Sequence, residues 1–103
     1  MSSSRNEVVL LPVPFTDLTS RKVRPAIVIG RNGLDLFLVP ISSQLSNTDF
    51  TLKEWRAAGL NVACDVKAQL ATVEENLVVK TVGVLAAADR QLLDDRLRAR
   101  LQL

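Results

Sequence analysis

The chain contains no histidine. That removes the side chain that most often serves as general acid or base near neutral pH, and with it the commonest transition-metal ligand. Cysteine is almost as scarce. Cys64 stands alone, so neither an internal disulfide nor a cysteine zinc site can form. It reads as a small, semi-buried apolar residue rather than a reactive thiol. A Gly-rich phosphate loop, a metal-ligand spacing and a nucleophile elbow are missing too. Excess charge is absent: 13 basic against 11 acidic side chains leave +2. A grossly polycationic nucleic-acid binder is thereby excluded, whereas a local basic patch is not. The opening "MSSSRNEVVLLPVPF" has one Arg, then Glu7, and its apolar run is cut by Pro12 and Pro14. It is neither a signal peptide nor a membrane span, which makes the cytoplasm the simplest location.

What is present describes one small core. The 103 residues, 48% of them hydrophobic, fit a single domain over 1–103 whose polar residues 1–6 form a flexible tail. A domain of this size folds alone, but pairing of subunits helps it bury apolar surface. "EVVLLP" reads as a strand ending at Pro12, and Pro14 with "TDLTSRK" as a loop. "PAIVIG" and "LDLFLVPI" are two β-rich runs joined by "RNG"; Asn32-Gly33 predicts an antiparallel hairpin centred on that pair. Pro25, with no N–H to give a ladder, belongs at the start of its strand. "DFTLKEWRAAGL" reads as a short strand and a helical turn stopped by Gly59, and "NVACDVKAQLATV" as one or two short strands. "NLVVKTVGVL" is a further strand in which Gly83 marks a bulge or a close approach. The last 18 residues form a helix with Leu93, Leu97 and Leu101 on one face. Asp89 near its start and Arg96, Arg98 and Arg100 near its end suit the helix dipole, and its mixed charge reads as a solvated face. The fold class is therefore mainly β with a C-terminal helix, a small antiparallel barrel-like sheet.

Chemistry is concentrated at one end of the hairpin. The carboxylate pairs Glu74-Glu75 and Asp94-Asp95 are neighbours that diverge on a strand or helix, so neither is a natural acid/base dyad. By contrast, the loop "TSRKVRP" sets Arg21, Lys22 and Arg24 together. In a hairpin centred on residues 32 and 33, Arg24 and Ser42 lie at roughly matching distances from the turn and can face one another at its open end. A guanidinium beside Ser42, Ser43 and Gln44 would make a phosphate-sized site. The plainer reading is an Arg that caps loop carbonyls beside serines that only form a turn.

The run "VVLLPVPFTDLTSRKVRPAIVIG" followed by "LDLFLVPISSQ" resembles the N-terminal signature of the PemK/MazF family of toxins (mRNA interferases) from bacterial toxin–antitoxin systems. There a "PFPFTDLS"-like loop leads to an Arg-Pro strand, and the next strand ends in a "PITSQ"-like segment. The likeness continues through "EWRAAGLN", "DVK" and "NLVVKTVGVL", covering roughly residues 7 to 101 in the family's order. The resemblance implies an SH3-like or CcdB-like barrel, a homodimer, and a sequence-specific endoribonuclease that cuts single-stranded RNA with no metal or other cofactor. It also implies a cognate antitoxin that covers the RNA groove. The family's catalytic Arg maps onto Arg24 and its Thr or Ser before the Gln onto Ser42. RNA carries its own nucleophile, the 2′-OH, so what is needed is charge stabilisation at phosphorus. Arg24 would supply it and Ser42 would hold a non-bridging oxygen. Phe15 and Thr16 would line the base side, with Phe15 either stacking a base or plugging the barrel. Arg21, Lys22, Ser43, Gln44 and Lys67 complete the expected nucleic-acid contacts.

The chain also departs from the pattern. Relatives carry a segment like "VKxDKLFTLD", in which a carboxylate follows the Lys; here "VKAQLATVEE" keeps Lys67 and lacks that carboxylate, with Asp65 upstream instead. Cys64 stands where some relatives have Ser, Asn6-Glu7 where Gly-Asp is frequent, and Val84 where Arg is frequent. These changes leave the general base unassigned. They also keep two other readings in view: a degenerate barrel that only binds RNA or antitoxin, and a CcdB-like gyrase poison on the same fold.

Overall fold

A computed structural model of the chain describes residues 3–12, 23–43 and 48–103. Its strands are β1 (Glu7–Pro12), β2 (Val23–Asn32), β3 (Asp35–Ser42), β4 (Phe50–Thr51), β5 (Asp65–Val66), β6 (Ala71–Glu74) and β7 (Lys80–Val84). One helix, α1 (Ala87–Leu101), closes the chain, and a short 3-10 turn spans Glu75–Leu77. Every pairing is antiparallel, in the order β4-β5-β3-β2-β1-β7 with β6 also on β3. The mainly β, antiparallel class with a terminal helix is as the sequence leads one to expect. Among the described residues no pairing joins β4 to β7, so the hydrogen-bonded path of the sheet stays open. None of the helices described is long and apolar enough to cross a membrane.

β1, β2 and β3 form the centre because they are buried on both faces, which is why they read as near-continuous apolar runs. On one face Val8, Ile27, Val39 and Ile41 pack with Leu85, Leu93 and Leu97 from the region of α1. On the other, Val9, Leu11, Ala26, Val28, Leu36 and Leu38 pack with Val73 of β6 and Val78. Of the leucine stripe on α1, Leu93 and Leu97 are buried while Leu101 is exposed.

The hairpin differs from expectation by one residue. Asn32 pairs with Asp35, so the two-residue loop is Gly33-Leu34 rather than Asn32-Gly33. Gly33 has φ +61°, and a glycine at the first central position with positive φ is the type II′ solution. A register shift between Val28 and Gly30 then inserts one extra residue in β2. Moving the loop by one residue shifts the pairing by two positions and the bulge takes one back, so Ala26 stands opposite Pro40, where a loop at Asn32-Gly33 would set it opposite Val39.

Residues 3–6 have more partners than their polar composition suggested. Ser3 is buried; its N–H donates to Glu75 Oε2 at 2.6 Å and its carbonyl accepts from Arg31 Nη1 at 3.2 Å. Asn6 N–H donates to the Val28 carbonyl at 2.7 Å, and the Asn6 carbonyl accepts from Leu85 N–H at 2.9 Å.

Candidate nucleic-acid interface

Continued for two more residues, the β2–β3 register would set Arg24 opposite Ser42. The pairing instead ends at Ala26 opposite Pro40. Pro25 and Pro40 lack an N–H, so neither strand can carry the ladder further with a full set of donors. β2 stays with β1, where Arg24 is opposite Leu11. β3 turns to β5, pairing Ile41 with Val66 and Ser42 with Asp65. Where the strands part, a pocket of about 560 Å³ opens, a size ordinary for a small-molecule or nucleotide site.

Arg24, Pro25, Ile41 and Ser43 form one side of this pocket, Leu10 of β1 lies between, and Lys80, Thr81 and Val82 of β7 form the other. Residues of the segment from Gly59 to Cys64 complete its lining. That segment is held by a close backbone approach. Gly59 has φ +87°, and a Cβ there would lie 2.1 Å from the Val82 carbonyl oxygen; a Cβ on Gly83 would lie 2.4 Å from the Ala58 carbonyl oxygen. Gly59 thus ends the turn of residues 55–59, and Gly83 supplies both the approach and, through the register shift between Val8 and Val9, the irregularity expected of it.

Among the described residues the pocket lining contains no carboxylate. Arg24 is exposed and none of those residues holds its guanidinium by a hydrogen bond or ion pair; the loop carbonyls that the capping reading needs lie outside the described residues. Other arginines are committed elsewhere: Arg5 to Asp94, Arg31 to Glu75, Arg90 to the Leu85 carbonyl and Arg100 to Asp49. Arg56 lies over the ring of Trp55 at 4.9 Å.

The expected site residues separate as follows. Arg24 and Ser43 share the pocket. Ser42, half-buried, is not part of the lining; alternation along β3 points it the other way, opposite Asp65. Lys67 is exposed beyond β5 and also lies outside the lining. Phe15, Thr16, Arg21, Lys22 and Gln44 lie outside the described residues. Asp65 is buried: Oδ2 accepts from Thr48 Oγ1 at 2.6 Å, while Oδ1 is buried with no hydrogen-bond partner among the described residues. It is not in the pocket lining. Cys64 is in the lining but buried, its Sγ 3.3 Å from the Val62 carbonyl. Burial, and then the charge of Asp65, push its thiol pKa up, which keeps it neutral and unreactive. Sequence reasoning missed Lys80, Thr81 and Asn61, because only the β1–β7 pairing and the Gly59–Gly83 contact bring them to Arg24.

Solved structures share this architecture. The Mycobacterium tuberculosis toxin MazF-mt6 aligns with a TM-score of 0.74 at 16% identity, over 94% of this chain and 97% of that one. An endoribonuclease in complex with its cognate antitoxin, from Mycobacterial species, aligns at 0.74 and 14% identity, over 98% and 94%. A further endoribonuclease from Mycobacterial species aligns at 0.70 and 15% identity, over 100% and 94%. At such identities the likeness defines the fold: this is a MazF-type β-sheet with a terminal helix. No curated protein sequence matches. The family model for PemK-like, MazF-like toxins of type II toxin–antitoxin systems matches residues 4–101, and the chain belongs to that family.

Proposed function

We propose that this chain is the toxin of a toxin–antitoxin pair and acts as an endoribonuclease on single-stranded RNA, in the cytoplasm and without a metal. The observation that carries the reading is the pocket where β2 and β3 part, with an exposed Arg24 that no described residue pairs and no carboxylate among its described lining, in a chain of this toxin family. An anionic phosphodiester is the complementary guest. In the reaction the ribose 2′-oxygen attacks the adjacent phosphorus and the bond to the 5′-oxygen breaks. One strand is left with a 2′,3′-cyclic phosphate and the other with a 5′-hydroxyl. The 2′-OH proton is lost to solvent and the leaving oxygen gains one. Arg24 stabilises the charge that builds on the phosphoryl oxygens. Ser43, which shares the pocket, is better placed than Ser42 to hold a non-bridging oxygen, and Ser42 braces β3 against β5. The endoribonuclease whose structure holds its cognate antitoxin supports a protein antitoxin as partner. A second copy of the chain is the other partner, covering apolar side chains left exposed here, such as Val79 and Val84.

The test is cleavage of a long single-stranded RNA in EDTA by wild type, Arg24→Ala, Ser43→Ala and Ser42→Ala, with sedimentation of the same preparation at tens of micromolar, roughly where an ordinary homodimer persists. The expected outcome is a dimer whose cutting survives EDTA. Arg24→Ala should lower the rate by at least ~100-fold, as removal of one oxyanion donor does. Ser43→Ala should cost more than Ser42→Ala. A folded wild-type protein that binds RNA without cutting it would instead be a binding module. Activity unchanged by Arg24→Ala would refute the assignment.

A further inference from the structure

The half of the pocket opposite Arg24 has no role in the reaction so far described. Across the sheet, Leu10 of β1 pairs with Pro25 on one side and with Lys80 on the other. Cross-strand partners share a face, and all three residues line the pocket. Two strand spacings separate Pro25 from Lys80, about 10 Å. Arg24, next to Pro25 in the chain, also lines the pocket, so it and Lys80 lie toward opposite ends of one concavity with Leu10 between them. Lys80 is exposed, and among the described residues no carboxylate pairs with it. Beside it are the hydroxyl-bearing Thr81 and the amide-bearing Asn61, with apolar Leu60 and Val62 on the same wall. This is the makeup of a nucleotide subsite: a cation and neutral donors for a phosphate, and apolar surface for the sugar and base.

We propose that Lys80, with Thr81 and Asn61, forms a second phosphate subsite that grips the RNA strand at a phosphate next along from the one held by Arg24. This rests on the ribonuclease reading for the identity of the strand, but it assigns a binding residue rather than a catalytic one. Lys80 holds substrate equally before and during the reaction, so its loss raises KM and leaves kcat unchanged. Each phosphate contact also adds to the salt dependence, by about 0.7 in the slope of log affinity against log salt for a single strand. That slope separates a phosphate contact from a merely structural lysine.

The experiment titrates a fluorescein-labelled ten-nucleotide RNA against wild type, Lys80→Ala, Lys80→Arg and Lys53→Ala by anisotropy, between about 50 and 200 mM salt. Cleavage kinetics are run in parallel. Lys53 is exposed and outside the pocket lining, so it controls for net charge. Lys80→Ala is expected to weaken binding roughly tenfold at the lowest salt and to shrink the salt slope by about 0.7. Lys80→Arg should restore both, Lys53→Ala should change neither slope nor kcat, and KM but not kcat should move for Lys80→Ala. An unchanged slope in Lys80→Ala beside an RNA-cutting wild type overturns the subsite and leaves the ribonuclease reading standing. RNA binding with the expected slope difference, but without cleavage by wild type, supports the subsite and overturns the catalytic reading. Absence of RNA binding by wild type overturns both.

Discussion

Asp89 illustrates how one residue can look like one thing in sequence and do another in space. As an acidic residue near the start of α1 it suits the helix dipole. In the folded chain it is fully buried, and its two carboxylate oxygens accept the backbone N–H groups of Lys53 and Glu54, each at 2.9 Å. It therefore fastens α1 to the segment that leads into the turn of residues 55–59 and the pocket wall. Asp89→Ala would remove the acceptor and strand two donors, a loss of about 2–4 kcal/mol in unfolding free energy. Asp89→Asn, which keeps one acceptor, should lose distinctly less. Urea unfolding of the three proteins measures the difference. Arg24 shows the opposite case: its place at the start of a strand was legible from Arg-Pro, because that residue pattern is itself local, while its proposed role came with the family resemblance. Ser43, also named from the sequence, shares the pocket with Arg24; that Ser42 does not was not legible, since alternation decides it only once β3 has chosen β5 as partner.

At the scale of elements, the Gly59–Gly83 contact ties the pocket wall to β7. A Cβ on either glycine would meet backbone rather than a yielding side chain, and Gly59 also needs its positive φ. Gly83→Ala should therefore lower stability by roughly 1–3 kcal/mol, as overpacking does. It should also weaken RNA binding, because the segment of residues 59–64 must shift. Thermal unfolding and anisotropy on the same sample check both. The signal was readable in part: a glycine inside a strand announces a close approach without saying to what. The hairpin is a similar case. Asn-Gly announced the turn, but the loop formed one residue later, and the shift near Ile29 took back only half of the resulting displacement, leaving Ala26 opposite Pro40. Sequence patterns locate a turn, whereas strand twist and burial on both faces choose its register.

At the scale of the whole molecule, two carboxylates bind together segments far apart in the chain. Asp49 accepts the Ala68 N–H at 2.7 Å and pairs with Arg100 of α1. That backbone bond first, and then Arg100, hold its pKa below the ordinary carboxylate range. Glu75 accepts from Arg31 and from the Ser3 N–H, and these likewise hold its pKa low. A depressed folded pKa means stability that is fully present above the unfolded value and lost as pH falls through the folded one. Unfolding free energy should thus be flat from about pH 6 to 8 and decline below the ordinary carboxylate values near 4. In Asp49→Asn/Glu75→Gln the decline should be shallower and the neutral-pH stability lower. Denaturant midpoints across this range test it, and an acid limb as steep as in wild type would count against the assignment.

Short-range chemistry was enough to determine the strand runs, the C-terminal helix and the helical turn ended by Gly59, because each depends on alternation, backbone freedom or a fixed proline φ. The composite of short motifs was enough for the family. The pocket was decided only by the tertiary structure. It exists because two strands with proline at their open ends part company, one staying with β1 and the other turning to β5. Lys80 joins Arg24 there across β1, more than fifty residues away in sequence, and long-range pairing of that kind leaves no local pattern to read.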